Sequence, residues 1–480
     1  MRALAAVAGD LLRAGQVRET CPSYLVRCGP RDFKPHSRRL AIHEAGPGQV
    51  DPKFPKEASG GRSSVTTVSE EEFRPIAEVA VQVGVNLQPD QNVILLAPAT
   101  QVGAARAVTR AAYAAGARNV RTLFNDEVIE RIGLEMAPED ALGEFPKWLA
   151  DGLLQEAEGN AALLSIIGGD PENLKGIPSE RIMASRRGAQ QALQPFTRLQ
   201  MAHKVAWSLV AAPSPAWARK VFPDLPEDEA VAKLWQAILR TSRCDGPDPV
   251  AAWHRHIKDL QARRNWLNGL GIRRLHYKSP ITDLTIELPK THQWVASGQQ
   301  RAVGYPTSPN IPTEEVFTLP ERTGVDGKLR STRKLSYSGQ IIDGIEITFA
   351  KGRIVDFHAD QGEDALRQVI ETDEGSHYLG EVALVPVDSP ISESGILFYN
   401  TLFDENASCH LAIGAAYPTC LTDAADVHSD EDLLARGGNV SLTHVDFMIG
   451  SDDLDITAET TSGAETPIFR AGRWAAPIGG

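Results

Sequence analysis

Apolar positions fall into regular periods only from residue 69 onward. Ser69-Glu-Glu-Glu-Phe73 sets a capping serine and an acidic first turn ahead of an amphipathic helix ending at Gly84. Strand-like runs over 92–97 and 119–124 flank a helical period that starts at Val102 and closes at Gly116, which makes a βαβ unit. Two more apolar runs, 161–167 and 205–211, alternate with helices over 139–157 and 179–192. This alternation predicts an α/β N-terminal domain with a mainly parallel sheet. Helices over 226–240 and 249–270 follow, and then the texture changes. Short runs at 274–277, 284–288, 344–349 and 353–358, separated by turn residues, predict antiparallel strands and an α+β C-terminal domain. The expected division is an extension over 1–70, the α/β domain over 71–272 and the antiparallel domain over 273–480.

The first residues read differently. Residues 1–17 are rich in Ala, Leu and Arg, but Gly9 and Asp10 break the apolar stretch and no small-residue cleavage site follows, which argues against export. Residues 29–67 are rich in Pro, Gly and Ser without periodicity, the composition of a disordered extension.

Composition narrows the partners. With 49 basic and 62 acidic residues the net charge is −13, which argues against nucleic acid and favours cationic ligands such as a free amino terminus. No apolar run is long enough for a membrane span. Cys21, Cys28, Cys244, Cys409 and Cys420 form neither a disulfide framework nor a CxxC pair. Gly168-Gly169-Asp170 lacks the spacing of a phosphate loop and is expected to be a plain turn. His254 and His256, two apart on a helix, are expected at the surface, as are His292, His358, His377 and His428.

Metal-ligand chemistry is concentrated late in the chain. Residues 400–417 read N-T-L-F-D-E-N-A-S-C-H-L-A-I-G-A-A-Y. Over 406–416 the small and apolar residues suit a helix, which sets His410 and Tyr417 within about 20° of each other. Cys409 would then be a small residue packed on the far side. In His444-Val445-Asp446 a strand's period of two puts imidazole and carboxylate on one side. Glu314 and Glu315 follow Pro312, and Glu381 heads an apolar run where a lone carboxylate needs a cationic partner. Together Glu315, Glu381, His410, His444 and Asp446 are donors enough for two divalent ions, Zn²⁺, Co²⁺, Mg²⁺ or Mn²⁺, with one carboxylate bridging.

The ordered motifs N-x-P-T-E-E-V-F, L-G-E-V-A-L-V, F-Y-N-T-L-F-D-E-N-A-S-C-H-L-A and H-V-D-F-M-I-G-S, with A-P-S-P-A-W-A-R-K-V-F-P around Trp217, resemble the thermophilic aminopeptidase family, that of aminopeptidases T and S. The resemblance covers about residue 71 to the C-terminus. It implies a cytoplasmic, usually dimeric, dinuclear exopeptidase acting on peptides with a free N-terminus. Its ligands fall on Glu315, Glu381, His410, His444 and Asp446, and its active-site tyrosine on Tyr417.

For this ligand set the expected mechanism is attack by a hydroxide shared between the ions, with a carboxylate carrying the proton to the leaving amine. Glu405 is the first candidate for that carrier and Glu314 the second. Glu405 is otherwise a further ligand and Glu314 a surface carboxylate, and Asp404 or Glu405 could simply cap a helix. Tyr417 is the candidate donor to the oxyanion, or a packing residue. The rival functions are another dinuclear amidase or dipeptidase and a non-catalytic protein stapled by its metal.

Overall fold

The first described helix opens on the capping signal. Ser69 Oγ accepts from the Glu72 backbone N–H and Glu72 accepts from that of Ser69, which opens the helix Glu70–Val79; a π-helical turn carries it on to Gly84. The computed structural model describes residues 67–298, 302–337 and 339–477. All of them lie in one compact unit. Residues 1–66 of the expected extension lie outside the described residues.

The first half is built on a four-stranded parallel sheet in the order Asn119–Asn125, Asn92–Pro98, Ala162–Ile167, Trp207–Ala211. Helices cover both faces. Phe73, Ile76, Val108 and Leu234 pack on Val93, Leu95 and Leu164, while Leu149, Leu153, Leu193 and Phe196 pack on Ile94, Leu163 and Trp207. Burial on both faces is why the strands Asn92–Pro98, Ala162–Ile167 and Trp207–Ala211 read as largely apolar runs, whereas the edge strand Asn119–Asn125 is partly exposed.

Several boundaries depart from expectation. The helix placed at 139–157 is a single 3₁₀ turn, Glu139–Ala141, and then a helix Lys147–Glu158 that begins after Pro146. The helix placed at 179–192 runs to Met201 and contains Pro195. Helices Glu127–Met136 and Pro215–Val221 had no counterpart in the sequence pattern. Gly168, expected in a turn, lies in irregular backbone, with the turn beginning only at Asp170; at φ +146° it packs so close that a Cβ would fall 1.7 Å from the Ala212 carbonyl oxygen.

The second half is antiparallel. An eight-stranded sheet runs Arg353–His358, Glu346–Ala350, Val325–Arg330, Asp283–Glu287, Ile272–Lys278, Asp455–Thr460, Glu465–Arg470, Arg473–Trp474. A five-stranded sheet runs His444–Met448, His410–Gly414, Leu379–Leu384, Val316–Thr318, Val295–Ala296. The two share a core in which Leu275, Ile286, Leu329, Ile347 and Ile456 meet Val316, Val382, Leu411, Ile413 and Phe447. The helix Pro249–Leu270 leads from the first half through Gly271 into the first strand of the larger sheet, Ile272–Lys278.

Two of the joints between the halves are formed near the parallel sheet. The Leu209 N–H donates to the Pro309 carbonyl at 2.7 Å and the Ile311 N–H to the Leu209 carbonyl at 3.0 Å, so residues 309–311 extend the edge of the parallel sheet. A cis peptide joins Ile311 to Pro312 within that connection. The second joint is Trp217. Ser214 Oγ caps its short helix by accepting from the Trp217 N–H, Pro215 occupies the first turn, and the buried indole Nε1–H donates to the Phe398 carbonyl. Its ring lies 5.9 Å from that of Phe403. Trp217→Phe keeps most of the apolar contact but strands a buried carbonyl, so we expect a loss of about 1–3 kcal/mol in chemical denaturation. An unchanged unfolding midpoint would show that this joint does not support the fold.

Candidate metal centre

The His410 segment is a strand, not the helix its small residues suggest. In the antiparallel register Glu381 stands opposite Ala412 and Ala412 opposite Asp446, with Ala383 opposite His410 and Gly414 opposite His444. Directly opposed residues share a face, and the period of two adds His410 and His444 to that row. Four of the five candidate ligands therefore rise from one face of three adjacent strands. Glu315 joins them from just before Val316–Thr318. The other face, with Val382, Leu411, Ile413, Val445 and Phe447, is core.

The small residues make room. Ala412, fully buried, is the spacer between two carboxylate-bearing strands. Gly414, at φ +111°, lets the strands approach where a Cβ would fall 2.1 Å from the Thr443 carbonyl oxygen.

The five side chains converge. His410 Nε2 lies 3.2 Å from Glu315 Oε2 and 3.6 Å from Glu381 Oε1. His444 Nε2 lies 3.6 Å from Glu381 Oε2 and 3.3 Å from Asp446 Oδ1. The two oxygens of Glu381 thus face different imidazoles, and two donor groups result: Glu315, Glu381 and His410, and Glu381, His444 and Asp446, each with its ligand atoms within 4.8 Å of one another.

Each imidazole is anchored through its other nitrogen. His444 Nδ1 meets the Ala415 carbonyl at 2.7 Å and His410 Nδ1 the Ser408 carbonyl at 3.3 Å. A carbonyl only accepts, so each Nδ1 carries the proton and Nε2 is turned to the cluster, the backbone-fixed tautomer of a metal-binding histidine. His410 Nε2 and Asp446 Oδ1 are buried polar atoms with no hydrogen bond.

Comparison with known proteins agrees with this geometry. Residues 69–474 match the family described as thermophilic metalloprotease (M29). The chain is 47% identical to aminopeptidase AmpS of Bacillus subtilis (strain 168) over 83% of its own length and 97% of that protein. It is 46% identical to aminopeptidase 2 of Geobacillus stearothermophilus, covering 85% and 98%. The solved structure of wild-type AmpT from Thermus thermophilus superimposes with a TM-score of 0.78 at 39% identity, covering 85% of this chain and 100% of that one. The chain belongs to the M29 family of thermophilic metalloproteases.

A divalent cation fits the donors of this M29 chain. Two imidazole nitrogens and three carboxylates are a borderline N/O set, and the orphaned His410 Nε2 and Asp446 Oδ1 are the atoms such an ion would satisfy. The electrostatics express the same need for positive charge. Burial, opposed by the neighbouring His410 imidazole and reinforced by Glu315, pushes the Glu381 carboxyl up to about 7. Burial works against a charged His444, but Asp446 and then Glu381 outweigh it and raise the imidazole to about 10. His410, likewise opposed by burial, is carried well above its usual value by Glu315 and Glu381.

The remaining sequence candidates separate. Glu405, on the 3₁₀ turn Glu405–Ala407, is buried; burial and then Asp446 and Glu315 hold its carboxyl well above the carboxylate range. Tyr417 stands edge-on to His444 with ring centroids 5.2 Å apart. Glu314 is in neither donor group: both its oxygens are taken by the Arg243 guanidinium. Asp404 is no helix cap either; it accepts from the Phe398 and Asn400 N–H groups at 2.8 and 2.9 Å, clasping its own loop. Cys409 sits in the core with its thiol on the Val385 carbonyl, and burial pushes it up to about 12, so it is no nucleophile.

Three histidines were misjudged or missed. His256, expected at the surface, turns inward so that Nε2 meets the Thr313 carbonyl at 2.8 Å. His292, also expected at the surface, is half-buried with Nε2 2.9 Å from the Ile272 carbonyl. His203 carried no spacing signal, yet its buried ring stacks between Trp207 and Tyr417, with centroids 6.2 Å from each.

Cation uptake must displace protons from Nε2 of these raised imidazoles. We therefore expect affinity to increase with pH between about 6 and 8, by roughly tenfold per pH unit for each proton released. Calorimetric titration of the metal-stripped protein in buffers of different ionisation enthalpy measures both quantities. A flat affinity with no proton release would contradict the ligand assignment.

Proposed function

We propose that this metal-dependent aminopeptidase holds two divalent cations, one on Glu315, Glu381 and His410 and the second on Glu381, His444 and Asp446. The observation that carries this reading is the Glu381 carboxylate, split between two imidazoles. When bound, such a pair supplies a water acidified toward neutral pH and a Lewis acid for the scissile carbonyl.

The chain's own groups supply the rest of the chemistry. Glu405, whose carboxyl burial and then Asp446 and Glu315 hold well above the usual carboxylate range, is a group disposed to keep a proton, and so the candidate carrier from attacking water to leaving amine. Asn310 and Asn406 both donate to its Oε1, at 3.4 and 3.3 Å, and so orient the carboxyl. Glu314 drops out of that role because Arg243 occupies it. Burial, then Glu381 and Asp446, keep the Tyr417 phenol protonated, a donor suited to the developing oxyanion. The free amine of an unblocked N-terminal residue would also find a site on a bound cation, which would restrict release to that residue. That the enzyme is cytoplasmic and homodimeric is carried over with the family resemblance; among the described residues no helix is long and apolar enough to cross a membrane.

Substrate pairs and two variants test this reading. Aminoacyl anilides should be cleaved and their N-acetylated counterparts left intact; equal rates on both would contradict an exopeptidase. Glu405→Gln should lower kcat roughly 10²–10⁴-fold with cation content unchanged. Glu381→Gln should lose cations and activity together, and full activity in that variant would overturn the mechanism.

A further inference from the structure

Two adjacent glutamates of one extended segment look in opposite directions. Glu315 enters the metal cluster, 3.2 Å from His410, while Glu314 turns toward the helical side of the molecule. There the Arg243 guanidinium meets it with both terminal nitrogens, Nη1 on Oε1 and Nη2 on Oε2, the latter at 2.9 Å. Glu314 is only 7% exposed, so this is a buried fork-on-fork pair, which fixes direction as well as distance.

The same segment is held at two further points. His256 Nε2 binds the Thr313 carbonyl at 2.8 Å and lies 3.7 Å from Glu314 Oε2. The Glu314 N–H donates to Asn406 Oδ1 at 2.7 Å. The supports are themselves rigid. Arg243 stands in a turn whose neighbouring Ser242 carbonyl accepts from the buried Trp253 Nε1–H at 2.7 Å, and the Trp253 ring stands edge-on to His256, 5.5 Å away.

We propose that Arg243 and His256 are positioning residues: they clamp Thr313 and Glu314 so that the next residue, Glu315, presents its carboxylate at the height the Glu381–His410 cation requires. This inference rests on the two-cation reading above. Asymmetry is its signature. Glu315 belongs to one donor group only, whereas Glu381 belongs to both. Loosening the clamp should therefore weaken one cation and spare the other, because a ligand set tolerates only about 0.5 Å of displacement.

Co²⁺ titration of the metal-stripped full chain, followed by visible absorption and calorimetry, reads the two steps separately. In Arg243→Met one step should weaken at least tenfold while the other stays within twofold, with the metal-free melting temperature read alongside. Arg243→Lys keeps the charge without the fork, and should weaken the same step by an intermediate amount. If Arg243→Met fails to fold, the pair Arg243→Met with Glu314→Met leaves no stranded charge and is read the same way. The clamp is overturned if both steps are unchanged, or if both weaken equally along with the metal-free melting temperature. Wild-type chain that takes up no Co²⁺ sinks the two-cation reading and the clamp with it, whereas two intact wild-type steps with unaffected variants sink the clamp alone.

Discussion

One buried carboxylate facing two imidazoles sets the terms for the rest of the molecule. Glu381 is almost wholly buried, and a carboxylate taken out of water in such company demands positive charge close by. His410 and His444 stand on either side of it, and Glu315 and Asp446 add two more acids to the same volume. Protons on the imidazoles or divalent cations both answer that demand. The anchoring of each Nδ1 on a backbone carbonyl fits the second answer, since it fixes both Nε2 atoms toward the carboxylates.

Much of the architecture serves this placement. Three antiparallel strands give four ligands a common face, and the eight-stranded sheet holds the opposite face of those strands in a dry core. Ala412 and Gly414 let the strands carry acids and imidazoles without filling the space between them. The parallel half contributes from the side: its edge strand pairs with residues 309–311, just ahead of Glu315, and His203 stacks on Tyr417. Arg243 and His256 reach the same loop from the helical layer. A mobile placement of Glu315 would be costly to a metal enzyme, and these contacts explain why an otherwise irregular connection is buried and bonded along its length.

The sequence carried the ligands more clearly than their scaffold. Glu315, Glu381, His410, His444 and Asp446 could be picked out as candidate ligands because acids and histidines inside apolar runs have few bland explanations, and the fold brings these five side chains together. The secondary structure around His410 was not legible. Ala412, Ala415 and Ala416 have high helix propensity, but here Ala412 is a space-saver in a strand buried on both faces, where apolar runs lose their period, and Ala415 and Ala416 lie buried just past its end. The roles of Glu314 and Glu315 could not be told apart, since neighbours in an extended segment differ only in what lies on either side, and that is set by Arg243, which is distant in sequence. His203 and His256 were hidden for the same reason: their partners come from other elements, and no local spacing announces them. By contrast the capping box at Ser69 and the βαβ unit after it were readable from neighbours alone, because their physics is local.

Anomalous diffraction from crystals of the full chain loaded with Co²⁺ or Zn²⁺ tests the central claim most directly. The account expects two peaks, one on each side of the Glu381 carboxylate, the first bonded to His410 and Glu315 and the second to His444 and Asp446. A single peak that leaves either histidine without a metal, or peaks lying elsewhere in the molecule, would contradict it.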